Sequence, residues 1–201
     1  DEISILKKKL KLNLNKIMEK RFSKKLFDLY GFCVVKSPFS EKEQDELIKS
    51  WHNKKQHKRQ INKFNPAEYL DELPDTIISL TENKKILNIL KKIYGNDIGL
   101  FRARVMIKDN LSKNPIKLHD DFSYQIGFQN KVSVFLALSK VNKRNGGLQL
   151  FCGTHKFGYL GDAGHINSKL LDSDWPVFNV NINPGDFVVM NSSLWHRSGH
   201  N

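Results

Sequence analysis

The C-terminal half of the chain is a succession of short strand-like segments that end in turn-forming sequences and are not followed by helices. Glycine, proline and asparagine cluster at Lys143-Arg144-Asn145-Gly146-Gly147 and at Asn183-Pro184-Gly185-Asp186. Short strands joined by tight turns favour an antiparallel sandwich or barrel of jelly-roll type. The predicted strands cover residues 101–107, 116–121, 131–138, 148–152, 178–182, 187–190 and 195–198.

The N-terminal half shows helical periodicity instead. Leu6, Leu10, Leu14 and Met18 recur every four residues with lysines between them, which predicts an amphipathic helix over residues 5–20. Such a basic helix either lies on a membrane surface or a partner, or packs on its own domain with a solvated lysine face; we expect the second. The other predicted elements are a strand at residues 30–35, a helix capped by Ser40, a polar loop or lid at 52–75, and a helix at 81–94.

The two halves are expected to form one domain, because 201 residues suffice for a single hydrophobic core. Within residues 1–201 we expect a mostly helical part with one early strand at 1–97, and a jelly-roll core at 98–201. The chain starts at Asp1 rather than at a methionine and stops at Asn201. We therefore also expect a fragment, with the jelly roll truncated at its C terminus.

Lysine dominates the charge of the chain. The formal net charge is +12 at pH 7, and 27 of the 33 basic residues are lysine. Because base readout and bidentate phosphate contacts favour arginine, nucleic acid is an unfavoured partner and a small anionic substrate is the expected one. The longest apolar run, at residues 132–138, is too short to span a bilayer, and the first residues lack a signal-peptide core. With only two cysteines, the protein is predicted to be cytoplasmic, without a membrane partner.

His119 and Asp121 lie two residues apart, and another histidine, His196, lies near the end of the chain. In a strand, residues i and i+2 point to one face, so the first pair would present its imidazole and carboxylate together. Two imidazoles and one carboxylate on one face of a metal suit non-haem iron(II) and O₂ chemistry. The His-x-Asp spacing is common by chance and gains weight only from its context. By the same alternation, Ser198 shares the face of His196.

Arg102 and Arg104 project from one face of a predicted strand. Two arginines placed in this way are either solvated or line an anion-binding pocket, and the sequence leaves both alternatives open. In a pocket, a guanidinium group would match a carboxylate with two parallel hydrogen bonds.

Three stretches of the chain together carry a family signature. They are Leu118-His119-Asp120-Asp121 followed by Tyr124, Asn145-Gly146-Gly147-Leu148-Gln149-Leu150-Phe151-Cys152-Gly153-Thr154-His155-Lys156, and Pro184-Gly185-Asp186-Phe187-Val188-Val189-Met190 with Trp195-His196-Arg197-Ser198-Gly199-His200-Asn201. In order and spacing they resemble the phytanoyl-CoA dioxygenase-like family of iron(II)/2-oxoglutarate-dependent oxygenases. The resemblance covers about residues 22–201.

This resemblance implies a double-stranded β-helix, the cupin-like jelly roll, with helices packed outside it. It implies a dioxygenase that hydroxylates a C–H bond of a small metabolite, with Fe(II) bound and with 2-oxoglutarate and O₂ as co-substrates. It also implies that His119, Asp121 and His196 are the iron ligands, that Ser198 helps to hold 2-oxoglutarate, and that Phe135 lines the same site. Related halogenases lack the carboxylate ligand so that chloride can bind, so Asp121 favours hydroxylation.

The sequence departs from the family pattern at two places. Cys152 occupies a position where proline is usual, and the arginine that pairs with the distal carboxylate of 2-oxoglutarate would follow His196 beyond Asn201. Either the natural protein continues past Asn201, which we favour, or Arg102 or Arg104 reaches in from the first core strand. Two other functions stay open: a catalytically inactive family member that acts as a binding module, and, less favoured, a basic nucleic-acid-binding protein.

Overall fold

The structure is a computed structural model of the chain. It describes residues 2–13, 22–53, 60–62, 65–69, 73–109, 113–124, 131–158 and 165–201. The predicted helix at residues 5–20 and the predicted loop at 52–75 therefore lie partly outside the described residues.

Five α-helices occupy the described N-terminal half. They are α1 (Glu2–Asn13), α2 (Lys24–Tyr30), α3 (Glu41–Asn53), α4 (Asp75–Ile78) and α5 (Lys84–Tyr94). The predicted capping box forms at the start of α3, where the Ser40 and Glu43 side chains each accept a hydrogen bond from the other's backbone amide. The predicted helix at 81–94 is α5, which starts later because Asn83 caps it by accepting a hydrogen bond from the Lys85 amide.

Ten strands form three antiparallel sheets in the part of the chain that the structure describes. Two of the sheets face each other across a common core, as in a double-stranded β-helix. The strands are β1 (Phe32–Val35), β2 (Gln60–Asn62), β3 (Asn65–Tyr69), β4 (Met106–Ile107), β5 (Ile116–His119), β6 (Val132–Leu136), β7 (Leu148–Phe151), β8 (Val177–Asn179), β9 (Phe187–Asn191) and β10 (His196–Ser198).

The first large sheet has the strand order β1–β9–β6, and its strands β1 and β9 are buried on both faces. Alternate residues of a strand face opposite sides, so Phe32 and Val34 point into the core between the sheets while Cys33 and Val35 point the other way. The outward face is covered by apolar side chains of α2 and α5, which include Phe27, Ile86 and Leu90. A strand buried on both faces explains why these segments are apolar throughout rather than alternating.

The second large sheet has the order β5–β10–β7–β8 and carries the site described below. One inward row of register partners crosses it: His119, His196, Leu150 and Phe178. At the apolar end of this row, the Phe178 ring lies 5.1 Å from the Phe32 ring of the opposite sheet. One end of the row therefore packs in the hydrophobic core, and the other end carries the two imidazole rings.

The third sheet, β2–β3–β4, is absent from the sequence prediction. Residues 60–69 are polar and lack apolar alternation, which is why the sequence did not predict β2 and β3. The described residues of the part at 1–97 hold three strands instead of the one expected. The predicted strand at 101–107 is correspondingly shorter. Within residues 101–107, β3 pairs only with Met106 and Ile107. Residues 101–105 therefore form no ladder, and Phe101 is 64% exposed.

The N-terminal helix α1 packs on the domain, as the second of the two alternatives predicted. Leu10 is fully buried in the core cluster, and the Tyr30 hydroxyl donates to its carbonyl oxygen at 3.0 Å. Lys7 and Lys11 form ion pairs with Asp174, which follows the 3₁₀ turn at Ser168–Leu170. No helix in the described residues is long and apolar enough to cross a membrane.

The family signature around Gly153 positions the segment that leads into β10. Gly153 has φ of +77° and donates its amide proton to the Tyr30 carbonyl oxygen. The fully buried Thr154 hydroxyl donates to the Phe151 carbonyl at 2.8 Å and accepts from the Trp195 amide at 3.0 Å. This signature therefore fixes the backbone immediately before His196.

Candidate metal centre

His119 and His196 are brought side by side by strand pairing. They are register partners in the antiparallel pair β5–β10, and their ring centroids lie 4.2 Å apart. Cross-strand partners on one face of a sheet are held at such distances by the backbone ladder itself. Main-chain hydrogen bonds therefore bring together two histidines that are 77 positions apart in the sequence.

Both imidazoles are oriented by the same short-range contact. The Nδ1 of His119 donates to the Lys117 carbonyl oxygen at 2.7 Å, and the Nδ1 of His196 donates to the Leu194 carbonyl oxygen at 2.9 Å. A carbonyl oxygen only accepts, so the ring proton sits on Nδ1 and the lone pair of the neutral imidazole sits on Nε2. This is the tautomer that a metal site built on Nε2 requires.

Asp121 completes the cluster from just beyond the end of β5. Its Oδ1 lies 3.9 Å from the Nε2 of His119 and 3.7 Å from the Nε2 of His196. The chain turns here because the buried Asp120 carboxylate accepts hydrogen bonds from the Ser123 amide at 2.7 Å and the Ser123 hydroxyl at 2.8 Å. The expected strand alternation is thus replaced by a turn, which brings Asp121 to the same place.

Burial governs the charge states of this cluster. It lowers the pKa of His119 to about 4, with a further lowering from the charge of His196. Burial alone would raise the pKa of Asp121, but His196, the Ser133 hydroxyl and then His119 hold it below its ordinary value. At neutral pH the cluster therefore presents a neutral His119 and an ionised carboxylate.

The three side chains form a donor set that fits a divalent metal of the first transition row. In the described residues, one ligand atom from each of His119, Asp121 and His196 lies within 4.8 Å of the other two. Two imidazole nitrogens and one carboxylate oxygen on one side leave the opposite side open, which is the arrangement of non-haem iron(II) sites.

The cluster lies at the wall of a small pocket that is open to solvent. One part of the lining is apolar and another is polar or charged. The lining side chains are Met106, Ile116, Phe135 and Leu148 on the apolar side, and Arg104, His119, Asp121, His196, Arg197 and Ser198 on the polar side.

A family model extends over most of this architecture. The model described as "Phytanoyl-CoA dioxygenase (PhyH)" matches residues 27–201. The chain belongs to the phytanoyl-CoA dioxygenase family. Of the elements described above, only α1 and the start of α2 lie outside the match, so both facing sheets and the His–Asp–His cluster are parts of the family domain.

Among curated proteins, the chain is similar to ectoine dioxygenases. Ectoine dioxygenase of Streptomyces avermitilis is 28% identical over 98 residues, which is 46% of this chain and 33% of that protein. The chain thus aligns with only about a third of the length of the curated ectoine dioxygenases that it matches.

Solved structures show the same fold at lower identity. EctD of S. alaskensis has a TM-score of 0.75 at 17% identity, with 89% of this chain and 70% of that chain covered. The non-haem α-ketoglutarate-dependent epimerase SnoN of nogalamycin biosynthesis has a TM-score of 0.68 at 18% identity, with 89% and 75% covered. These likenesses establish the jelly-roll architecture of this phytanoyl-CoA dioxygenase family member.

Of the four residues predicted to bind the co-substrate, three line the pocket and one does not. Ser198, Phe135 and Arg104 line the pocket. The Ser198 side chain is buried, and its hydroxyl accepts a hydrogen bond from the Ile116 amide at 3.3 Å. Arg102 and Arg104 are both exposed, but Arg102 is not among the pocket-lining side chains. Residues 101–105 do not form the strand that would have placed both arginines on one face.

Sequence reasoning did not find Ser133, which donates from its hydroxyl to the Asp121 Oδ2 at 2.7 Å. Ser133 lies on β6 in the opposite large sheet, so this bond joins the two walls of the site. The available signal was a polar residue on the inward face of an otherwise apolar strand, in alternation with Phe135.

Proposed function

We propose that this protein is an iron(II)/2-oxoglutarate-dependent dioxygenase that hydroxylates a C–H bond of a small anionic metabolite in the cytoplasm. The observation that carries the proposal is the convergence of His119, Asp121 and His196 at the wall of a pocket. Membership of the phytanoyl-CoA dioxygenase family supports the same reaction class. A dioxygenase and an epimerase are both similar to this chain, so the fold does not select hydroxylation, and the Asp121 carboxylate argues specifically against halogenation.

The proposed ligands of Fe(II) are the Nε2 atoms of His119 and His196 and the carboxylate of Asp121. When bound, the metal and 2-oxoglutarate would supply the activation of O₂. The residues of the chain orient the metal ligands and determine their protonation. The carbonyls of Lys117 and Leu194 hold the rings in the ligating tautomer. The pKa of about 4 keeps His119 from competing for a proton at neutral pH.

The proposed co-substrate site lies on the Ser198 side of the cluster. Ser198 follows His196 on the same inward face of β10, and the Phe135 ring closes the apolar side of the pocket. A dicarboxylate in a partly desolvated pocket needs a cation, and an arginine offers a fork that matches a carboxylate. Arg104 lines this pocket and Arg102 does not. We therefore propose Arg104 for that contact, in place of the arginine beyond Asn201 that the family resemblance favours.

The reaction class is tested by adding Fe(II) and then 2-oxoglutarate to the metal-free protein without oxygen. We expect the weak visible metal-to-ligand band of an iron–2-oxo acid chelate, followed on admission of air by conversion of 2-oxoglutarate to succinate. If the band appears but no tested substrate leads to succinate, the protein is the catalytically inactive family member that acts as a binding module. Absence of the band at saturating iron and 2-oxoglutarate would contradict the proposed function.

Replacing Arg104 with alanine should weaken 2-oxoglutarate binding by about tenfold, since a hydrogen bond to a charged group contributes about 1.5–3 kcal/mol and the exposure of Arg104 to solvent reduces that contribution. Arg102→Ala is the matched control and should bind 2-oxoglutarate as the unmodified protein does. The measurement is an anaerobic titration of the metal-loaded protein, repeated with 2-oxopentanoate, which lacks the distal carboxylate and should not distinguish the variants. Unchanged 2-oxoglutarate affinity in Arg104→Ala would refute the assignment.

A further inference from the structure

The two oxygens of the Asp121 carboxylate have different surroundings. Oδ1 faces both Nε2 atoms, at 3.9 Å from His119 and 3.7 Å from His196. Oδ2 points to the opposite sheet, where it accepts the hydroxyl proton of Ser133 at 2.7 Å. The carboxylate is therefore held in one rotational setting, with one oxygen at the cluster and the other engaged by a fixed donor.

The position of Ser133 is set by the backbone and not by a flexible side chain. Ser133 lies in the middle of β6, which pairs with β9 in unbroken register from Val132 to Leu136. A serine side chain has a single rotatable bond between the backbone and its oxygen, so the hydroxyl of a residue in a regular ladder has few alternative positions. Asp121 itself is buried, which strengthens a hydrogen bond made inside the site.

A carboxylate can bind a metal through one oxygen or through both. Two imidazoles and one carboxylate oxygen occupy three positions of an octahedral ion and leave three open. A bidentate 2-oxo acid needs two of these and O₂ needs the third. A second oxygen from the aspartate would therefore remove a position that the reaction requires.

We propose that Ser133 is a positioning residue that restricts Asp121 to binding the metal through Oδ1 alone and so keeps the third open coordination position available. The inference rests on the proposed function, because it presumes that the His–Asp–His cluster binds a divalent metal. The hydroxyl acts by engaging Oδ2, which lowers the basicity of that oxygen and fixes the plane of the carboxylate. Ser133 is not among the side chains that line the pocket.

The test uses Mn(II), a redox-stable probe, titrated into the metal-free full chain and into three Ser133 variants. Ser133→Ala should bind Mn(II) about 10–100-fold more weakly, the range measured for loss of outer-shell partners of metal ligands. Ser133→Thr keeps a hydroxyl and should restore binding. Ser133→Val has nearly the shape of threonine without the hydroxyl and should bind as weakly as Ser133→Ala, which separates the hydrogen bond from packing.

A second measurement addresses the number of aspartate oxygens on the metal. At saturating Mn(II), water molecules bound to the ion are counted from the hyperfine effect of ¹⁷O-labelled water on its electron paramagnetic resonance. We expect three bound waters in the unmodified protein and in Ser133→Thr, and fewer in Ser133→Ala and Ser133→Val.

Unchanged affinity and water count in Ser133→Ala would overturn the inference, and so would restoration of both by valine as well as by threonine. These results are distinguishable from failure of the proposed function. If the cluster is not a metal site, the unmodified protein itself will bind no Mn(II), whereas failure of the Ser133 inference alone leaves its binding intact.

Discussion

Replacing His196 with alanine is expected to abolish metal binding and iron-dependent conversion of 2-oxoglutarate while leaving the fold in place. His196 supplies one of the three donor atoms, and its side chain is 3% exposed, so no solvent-held group can substitute for it. Loss of a ligand should exceed the roughly 10–100-fold loss of affinity that removal of an outer-shell partner causes. The backbone pairing of β10 with β5 and β7 does not depend on the imidazole. His119→Ala should behave in the same way.

His200→Ala is the matched control for this prediction. His200 lies four residues further along the chain, is exposed, and is not part of the cluster. It should retain full metal binding and turnover. Circular dichroism of each variant checks that the fold persists. Retention of 2-oxoglutarate decarboxylation in both His119→Ala and His196→Ala would refute the assignment of these histidines as ligands.

The second large effect is expected for stability, at Asp186. This residue belongs to the Gly-Asp part of the third family signature, yet the structure gives it no contact with the metal centre. Its buried carboxylate accepts hydrogen bonds from the Ser37 amide at 2.8 Å and the Asn183 amide at 3.0 Å, and pairs with Lys36 at 3.1 Å. Asp186→Ala should lower the free energy of unfolding by about 2–4 kcal/mol, because two amide donors lose a charged acceptor.

Urea unfolding measures this effect, and two variants bracket it. Asp186→Asn keeps one acceptor oxygen and should lose less than Asp186→Ala, whereas Asp97→Ala removes an exposed aspartate and should stay within about 0.5 kcal/mol of the unmodified protein. Mn(II) affinity of the folded Asp186→Ala protein should be unchanged. An Asp186→Ala variant as stable as Asp97→Ala would show that this hydrogen-bond cluster does not hold the β1 and β9 ends together.

The metal cluster was accessible from the sequence because local rules determine most of it. Strand alternation and the turn sequences fix which residues of the C-terminal half face the core, and the family signatures identify the distant partner His196. The route to Asp121 differs from the expected one, since Asp120 turns the chain after His119. The Asp121 side chain still reaches the cluster, because the turn is tight.

Other parts of the structure could not be predicted from the sequence, because they depend on pairing between distant segments. The alternation at residues 101–107 resembles a strand, but a strand forms only where a neighbour offers hydrogen bonds, and β3 offers them only at Met106 and Ile107. The polar segments β2 and β3 form a sheet without apolar alternation. The sequence marks Ser133 only as a polar residue on an otherwise apolar strand, and its 2.7 Å hydrogen bond to Asp121 depends on how the two large sheets face each other.

The most direct test of the metal centre is an anomalous difference map at the iron absorption edge, from crystals grown without oxygen in the presence of Fe(II). We expect one strong peak within about 2.0–2.2 Å of the Nε2 atoms of His119 and His196 and of the Asp121 Oδ1, as for other first-row metal sites. The peak should be absent from His196→Ala crystals. An iron peak bound by other residues, or His196 remaining more than about 6 Å from the other two side chains in an ordered map, would contradict the assignment.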